Sequence, residues 1–187
     1  VVATPEQIAQ WKETKKIGII GLGDMGQLYA RKFTGLVGSK YISPPSIWLL
    51  LTFIQGLACD RESLYEETKK KFLNTSVEVV RDGHLVSRVS DFIIYSVEAA
   101  NIKQIAATYG PSTKVNAIVG GQTSCKAPEI EAFEASLPED VEIITCHSLH
   151  GPRVATEGSS MPTTRALHVS RSFPLRPTLP TLAYLSR

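Results

Sequence analysis

Three glycines at positions 21, 23 and 26, and a histidine at 147, are the residues whose types and spacing point to chemistry in this chain. The run Gly21-Leu22-Gly23-Asp24-Met25-Gly26 has the pattern G-x-G-x-x-G. It follows Ile17-Gly18-Ile19-Ile20, a short apolar stretch suited to a buried strand. It opens onto Gln27-Leu28-Tyr29-Ala30-Arg31-Lys32-Phe33, which can continue as a helix. In that setting Gly21 allows a tight turn, Gly23 lets the backbone approach a pyrophosphate, and Gly26 lets helix and strand pack closely. The helix N-terminus adds free N–H groups and a partial positive charge. The ligand implied is a dinucleotide.

Ligands of open α/β sheets bind beyond the carboxyl ends of the strands, and four predicted strand ends here carry polar or glycine-rich sequence. Ser96-Val97-Glu98 follows Tyr95, and Gly120-Gly121-Gln122-Thr123-Ser124-Cys125-Lys126 follows Val119. Cys146-His147-Ser148-Leu149-His150-Gly151-Pro152 follows Thr145, and Asp60-Arg61 follows Cys59. Asp60 suits an adenosine ribose, and Arg61 suits a 2′-phosphate and the adenine face. The residues alone leave that pair open, because a solvated Asp-Arg opening the next helix reads equally well. His147 lies just past a buried strand, where an imidazole can take a proton near neutral pH. Ser124 on the adjacent strand end is placed to hold a substrate or orient that ring. His150 reads as a loop residue, and His84 and His168 have no supporting context. Lys126 is either a helix-start residue or a phosphate contact.

These residues must be positioned by alternating strands and helices. The pattern predicts a helix over Pro5 to Lys12, capped by Thr4, before the first strand. Leu57-Ala58-Cys59 reads as the second strand, Glu62 to Leu73 as a helix, and Val77 to Val80 as a third strand. A short helix or turn over Gly83 to Ser90 precedes the apolar run Phe92-Ile93-Ile94-Tyr95, which suits a strand buried on both faces. Helices over Ala99 to Tyr109 and Ala127 to Ser136 alternate with strands over Val115 to Val119 and Val141 to Thr145. The order implies a Rossmann-type, doubly wound parallel sheet of the α/β class. One interval is anomalous. Asp60 stands 34 positions after Gly26, where about 20 is usual, and residues 36–55 resemble neither flank. That stretch reads as an insertion in a dinucleotide-binding domain over residues 1–158. In the 29 residues after Gly158, Pro, Arg, Ser and Thr number 17 and no period holds, so a disordered tail is expected over 159–187.

With 43% hydrophobic and 20% charged residues, the composition is that of a soluble globular domain. The net charge of +2 comes from four arginines after Gly158, which leave 16 basic against 18 acidic residues in the body. No nucleic-acid or membrane-surface partner is expected of such a body. The most apolar run, Ile47 to Ile54, is eight residues, against the ~20 needed to span a bilayer. Cys59, Cys125 and Cys146 are odd in number and lack metal-ligand spacing, so a reduced cytoplasmic setting and no metal site are expected.

Ile17 to Gly26, Gly83-His84-Leu85-Val86-Ser87-Arg88, Ile93 to Ala99, Gly120 to Lys126 and His147 to Pro152 together resemble the fungal NADP-dependent prephenate dehydrogenases. The likeness covers Glu6 to about Thr34 and Ala58 to about Gly158. It implies oxidative decarboxylation of prephenate to 4-hydroxyphenylpyruvate, with NADP as cofactor, in tyrosine biosynthesis. It also implies that His147 takes the proton of the substrate hydroxyl, that Ser124 orients that hydroxyl, and that Arg61 meets the 2′-phosphate. Gly21, Leu22, Gly23, Asp24, Met25, Gly26, Asp60, Ser96 and Val97 complete the expected cofactor contacts. Ser148 stands where the family loop has a proline. The family continues into a helical dimerisation domain that completes the substrate pocket. Here that domain is expected to be missing, and the chain to be poorly active. An inserted stretch and a changed terminus are what retained or missed introns in the gene model would produce. Two alternatives are a non-catalytic dinucleotide-binding remnant and another NADP-dependent dehydrogenase that opens with G-L-G-x-M-G.

Overall fold

The computed structural model describes residues 10, 13–33, 55–145 and 167–169. Strand β1 (Lys16–Ile20) runs into helix α1 (Asp24–Phe33), and β2 (Gln55–Cys59) leads through a 3₁₀ turn at Glu62–Leu64 into α2 (Tyr65–Lys71). Then follow β3 (Val77–Val79), α3 (Gly83–Val89), β4 (Phe92–Tyr95), α4 (Ile102–Tyr109), β5 (Ile118–Gly121), α5 (Lys126–Ser136), β6 (Glu142–Thr145) and β7 (Leu167–Val169). They form one sheet in the order β3-β2-β1-β4-β5-β6-β7. The first six strands are parallel, and β7 pairs antiparallel with β6. The expected doubly wound parallel sheet is therefore present, with its order reversing between β1 and β4 at the expected crevice.

Alternation along each strand divides the core between two helical layers. Ile17 and Ile19 of β1 pack with Leu22, Tyr29, Ala30 and Phe72 on the α1–α2 side. Ile20 packs with Val86, Ile102, Ala106 and Phe133 on the α3–α4–α5 side. Both faces of the central strands β1, β4 and β5 are covered, so these read as continuous apolar runs and not as alternating ones. At the amino ends of the strands, Asp91 acts as a clasp. Its carboxylate accepts from the Lys16 N–H at 3.0 Å, from Lys15 Nζ at 3.1 Å and from Lys114 Nζ at 2.8 Å.

Several elements depart from the sequence expectation. The fifth strand begins at Ile118, not Val115, because Ala117 N–H closes a turn onto the Lys114 carbonyl and Asn116 adopts φ 58°. Val115 is left 67% exposed, and the two glycines expected to end the strand lie inside it. The helix expected from Glu62 starts as 3₁₀, and α4 starts at Ile102 after a turn in which Asn101 N–H donates to the Glu98 carbonyl. In the stretch expected to hold no regular element, Leu167–Val169 adds an edge strand whose His168 pairs with Ile144. Of the helix expected at residues 5–12, residue 10 alone falls within the described residues, and it is helical; most of the 36–55 insertion lies outside them, although Gln55 opens β2. Among the described residues, no helix is long and apolar enough to cross a membrane.

Candidate functional site

The carboxyl ends of β1, β2, β4 and β5 gather the expected site residues along one edge of the sheet. The three motif glycines do different jobs there. Gly21 has φ +95°, a conformation L side chains rarely adopt, and a Cβ on it would lie 2.9 Å from Val97 Cγ1 and against the Ser96 carbonyl. A Cβ on Gly26 would press into the Gly21 carbonyl group, 2.9 Å from its carbon, so helix α1 can sit this close to β1 only with glycine there. Around Gly23 a Cβ would meet nothing within 4 Å. The turn is thus packed by protein at its first and third glycines and open at its second, where a pyrophosphate would need the backbone bare. Gly23 is exposed, and its carbonyl accepts the Gln27 N–H at 2.9 Å to begin the helix. Asp24 and Met25 form the first turn of α1, where backbone N–H groups lack partners within the helix.

Neighbouring loops hold that turn in place. Gly21 N–H donates to the Cys59 carbonyl at 2.9 Å, and Ser96 N–H donates to the Ile20 carbonyl at 2.8 Å. Asp60 does more than the sequence suggested. One carboxylate oxygen accepts the Leu22 N–H at 3.3 Å, and the other accepts the Arg61 N–H at 2.8 Å. Asp60 therefore buttresses the glycine turn and keeps spare lone pairs for a ribose hydroxyl. Burial, reinforced by the Asp60 charge, pushes the thiol of Cys59 up to about 12, despite the opposing hydrogen bond with Gly21. That cysteine is a neutral filler beneath the turn.

Arg61 is exposed at the head of the 3₁₀ turn, free to meet an anion. Behind it, Arg81 pairs with Glu62 and Glu66 and stacks its guanidinium 3.9 Å from the centre of the Tyr65 ring. Arg81 was not singled out by sequence reasoning. Its two partners lie 15 and 19 positions away, beyond any local periodicity. A hollow of about 510 Å³, lined by Tyr65, Phe72, Val79 and Arg81 among others, lies beside the edge strand β3, away from Ser124.

Ser96 and Val97 are half-buried where β4 ends, against Gly21. The next loop leaves β5 beside them, with Gln122 N–H donating to the Tyr95 carbonyl at 3.3 Å. Ser124 is exposed on that loop. Lys126, whose role the sequence left open, begins α5 and turns inward. Its Nζ donates to Glu129 at 2.8 Å and to the Gly121 carbonyl at 3.2 Å. Glu129 is fully buried and its other oxygen accepts the Thr123 N–H at 2.8 Å. Sequence reasoning missed Glu129, although its i,i+3 spacing from Lys126 was a legible signal. His147 follows the last residue of β6 by two positions and lies outside the described residues, as do His150 and Gly151. Among the described residues, no group of three or more His, Cys, Asp or Glu could hold a metal ion.

A doubly wound sheet with a glycine turn open at its middle glycine defines an α/β fold of the Rossmann type. Over 160 residues, 86% of its length, the chain is 57% identical to the NADP-dependent prephenate dehydrogenase of Saccharomyces cerevisiae. Over 143 residues it is 53% identical to a probable NADP-dependent prephenate dehydrogenase of Schizosaccharomyces pombe. Identity at this level makes the chain a relative of these proteins across the matched stretch. It spans about a third of their length, 32% and 30% respectively. No family model matches the chain. Among solved structures, prephenate dehydrogenase from Aquifex aeolicus in complex with hydroxyphenyl propionate and NAD+ shares the fold at TM-score 0.57 and 17% identity, covering 92% of this chain and 55% of that one. A 3-hydroxyisobutyrate dehydrogenase from Mycobacterium tuberculosis also reaches TM-score 0.57, at 10% identity, over 75% of this chain and 42% of that one.

Proposed function

We propose that this chain is the NADP-binding portion of a prephenate dehydrogenase, an oxidoreductase of tyrosine biosynthesis acting in the cytoplasm. One observation carries the nucleotide half of the reading: of the three motif glycines, only Gly23 faces open space. The substrate half is supported by the identity to the two yeast proteins. In this reading residues 1–158 form the cofactor domain, with an insertion near 36–55 and an unrelated tail after 158.

Gly21, Leu22, Gly23, Asp24, Met25 and Gly26 cradle the pyrophosphate at the start of α1. Asp60 holds the adenosine ribose, Arg61 binds the 2′-phosphate, and Ser96 and Val97 support the nicotinamide half where β4 ends. Bound NADP+ supplies the hydride acceptor. Ser124 orients the ring hydroxyl of prephenate, and His147 receives its proton as hydride leaves the same carbon. The carboxylate then departs as CO2 and its bonding electrons make the ring aromatic. The new phenolate oxygen recovers the proton from His147, so the reaction yields 4-hydroxyphenylpyruvate, CO2 and NADPH.

A second reading, which the open glycine turn supports equally, is a dinucleotide-binding protein without turnover. Titrating NADPH by fluorescence and assaying prephenate oxidation separates the two. Nucleotide binding with turnover supports the enzyme, and binding alone supports the second reading. Absence of binding would refute both.

A further inference from the structure

The Lys126–Glu129 pair is a buried charge pair in a place where a fold does not need one. The Glu129 side chain has no exposure and that of Lys126 has 19%. Replacing a buried ion pair by apolar residues of similar volume is often neutral or stabilising, because desolvation offsets the mutual attraction. The value of such a pair lies in direction, and here its hydrogen bonds converge on one loop. One Glu129 oxygen takes the Thr123 N–H at 2.8 Å, and the other takes Lys126 Nζ at 2.8 Å. Lys126 Nζ also reaches back to the Gly121 carbonyl at 3.2 Å, which ties the end of β5 to the start of α5. The loop closes on itself through Thr123 Oγ1, which donates to the Cys125 carbonyl at 2.9 Å. Gly121 supplies the room, since a Cβ on it would stand 2.6 Å from Glu129 Oε1. Ser124 sits at the apex of this braced loop, flanked by the two residues whose backbones are held.

We propose that Glu129 and Lys126 are positioning residues that fix the Ser124 loop against the cofactor edge of the sheet, with Gly121 as the glycine that admits the carboxylate. The proposal rests on the functional reading above for what Ser124 does, but not for how the loop is held. Its geometry explains why a buried carboxylate lies next to a strand end that a hydrophobic residue would pack against equally well.

The test uses the whole 187-residue chain, ¹⁵N-labelled, with and without NADP+. The double variant Lys126→Met/Glu129→Met keeps volume and removes both charges, so the fold is expected to survive with an unchanged or higher melting temperature. Its Gln122–Lys126 amide signals are expected to broaden or multiply. The NADP+-induced shift at the Ser124 amide is expected to vanish, with the NADP+ Kd within about twofold of the native value. Glu129→Gln keeps an acceptor for the Thr123 N–H and is expected to recover a single set of loop signals. Sharp, native-like loop signals in the double variant would overturn the proposal. So would loss of the Gly21–Gly26 response together with the melting transition, which would make the pair a prop for the whole domain. The loop signals are read without nucleotide. A native chain that binds no NADP+ would therefore refute the functional reading while still deciding this one.

Discussion

Replacing Gly23 and Gly26 with alanine, one at a time, separates binding from folding. At Gly26 the new methyl would press on the Gly21 carbonyl group, 2.9 Å from its carbon, and stand 3.4 Å from Ser96 Cβ. The Gly21 obstacle is backbone held between β1 and β2, so α1 must shift. Overpacking of this kind costs about 2–3 kcal/mol. For a domain this size that lowers the melting temperature by about 4–12 °C. At Gly23 nothing stands within 4 Å and the backbone is outside the left-handed region. Alanine there changes stability by less than about 1 kcal/mol, the scale of a helix-cap substitution. Its methyl would occupy the space between backbone and pyrophosphate, and the lost contact is worth about 2 kcal/mol, or about 30-fold in Kd. Thermal melts and NADPH fluorescence titrations of the two variants read both quantities. A Gly23→Ala chain that binds NADPH as the native one does would show that the phosphates do not lie over this turn. An unchanged melting temperature in Gly26→Ala would show that α1 does not pack as described.

Three further outcomes are expected. Burial alone would raise the Asp91 carboxyl, but hydrogen bonds from Lys114, the Lys16 N–H and Lys15 outweigh it and hold the group below its usual range. Because its folded-state value is depressed, Asp91 contributes stability above the ordinary carboxylate range near pH ~4 and loses it as the pH falls through that range. Denaturant melts from pH 7 to 3 should therefore show Asp91→Asn less stable at neutral pH, less sensitive to acid, and unchanged in NADPH affinity. Iodoacetamide at pH 8, followed by peptide mapping, is expected to label exposed Cys125 and spare Cys59, whose thiol is pushed up to about 12. Rapid labelling of Cys59 in the folded chain would contradict its place beneath the glycine turn. In a full-length relative, the asparagine variant of the histidine matching His147 is expected to lower prephenate turnover about 100-fold or more with little change in NADP+ affinity. Unchanged turnover would remove His147 from its role.

The repeat of strand and helix was legible because the central strands β1, β4 and β5 are buried on both faces. Phe92–Tyr95 could be delimited to the residue from its apolar run alone. The late position of Asp60 did not obscure β2, since Leu57-Ala58-Cys59 ends in the acidic residue that the fold needs. Boundaries were lost where tertiary contacts overrode composition. Gly120 and Gly121 look like a strand end but lie within β5, because Gly121 makes room for Glu129. Glu129 itself looked like one more polar position on a helix of mixed polarity, and only burial reveals its partners. The Leu22 partner of Asp60 lies 38 positions away, and the Glu62 and Glu66 partners of Arg81 lie 19 and 15 positions away, so no local pattern carries them. Of the expected site, the glycine turn, Asp60, Arg61, Ser96, Val97 and Ser124 fall along one sheet edge, while His147 lies outside the described residues.

A fluorescence titration of the native chain and of Arg61→Ala with NADPH and NADH, in parallel, tests the central claim most directly. The native chain is expected to bind NADPH at least about tenfold more tightly than NADH, the scale of one charge-assisted contact to the 2′-phosphate. Arg61→Ala is expected to erase that preference while keeping NADH affinity. Failure of the native chain to bind either nucleotide, or a preference that survives loss of Arg61, would contradict a phosphate-reading site at this edge of the sheet.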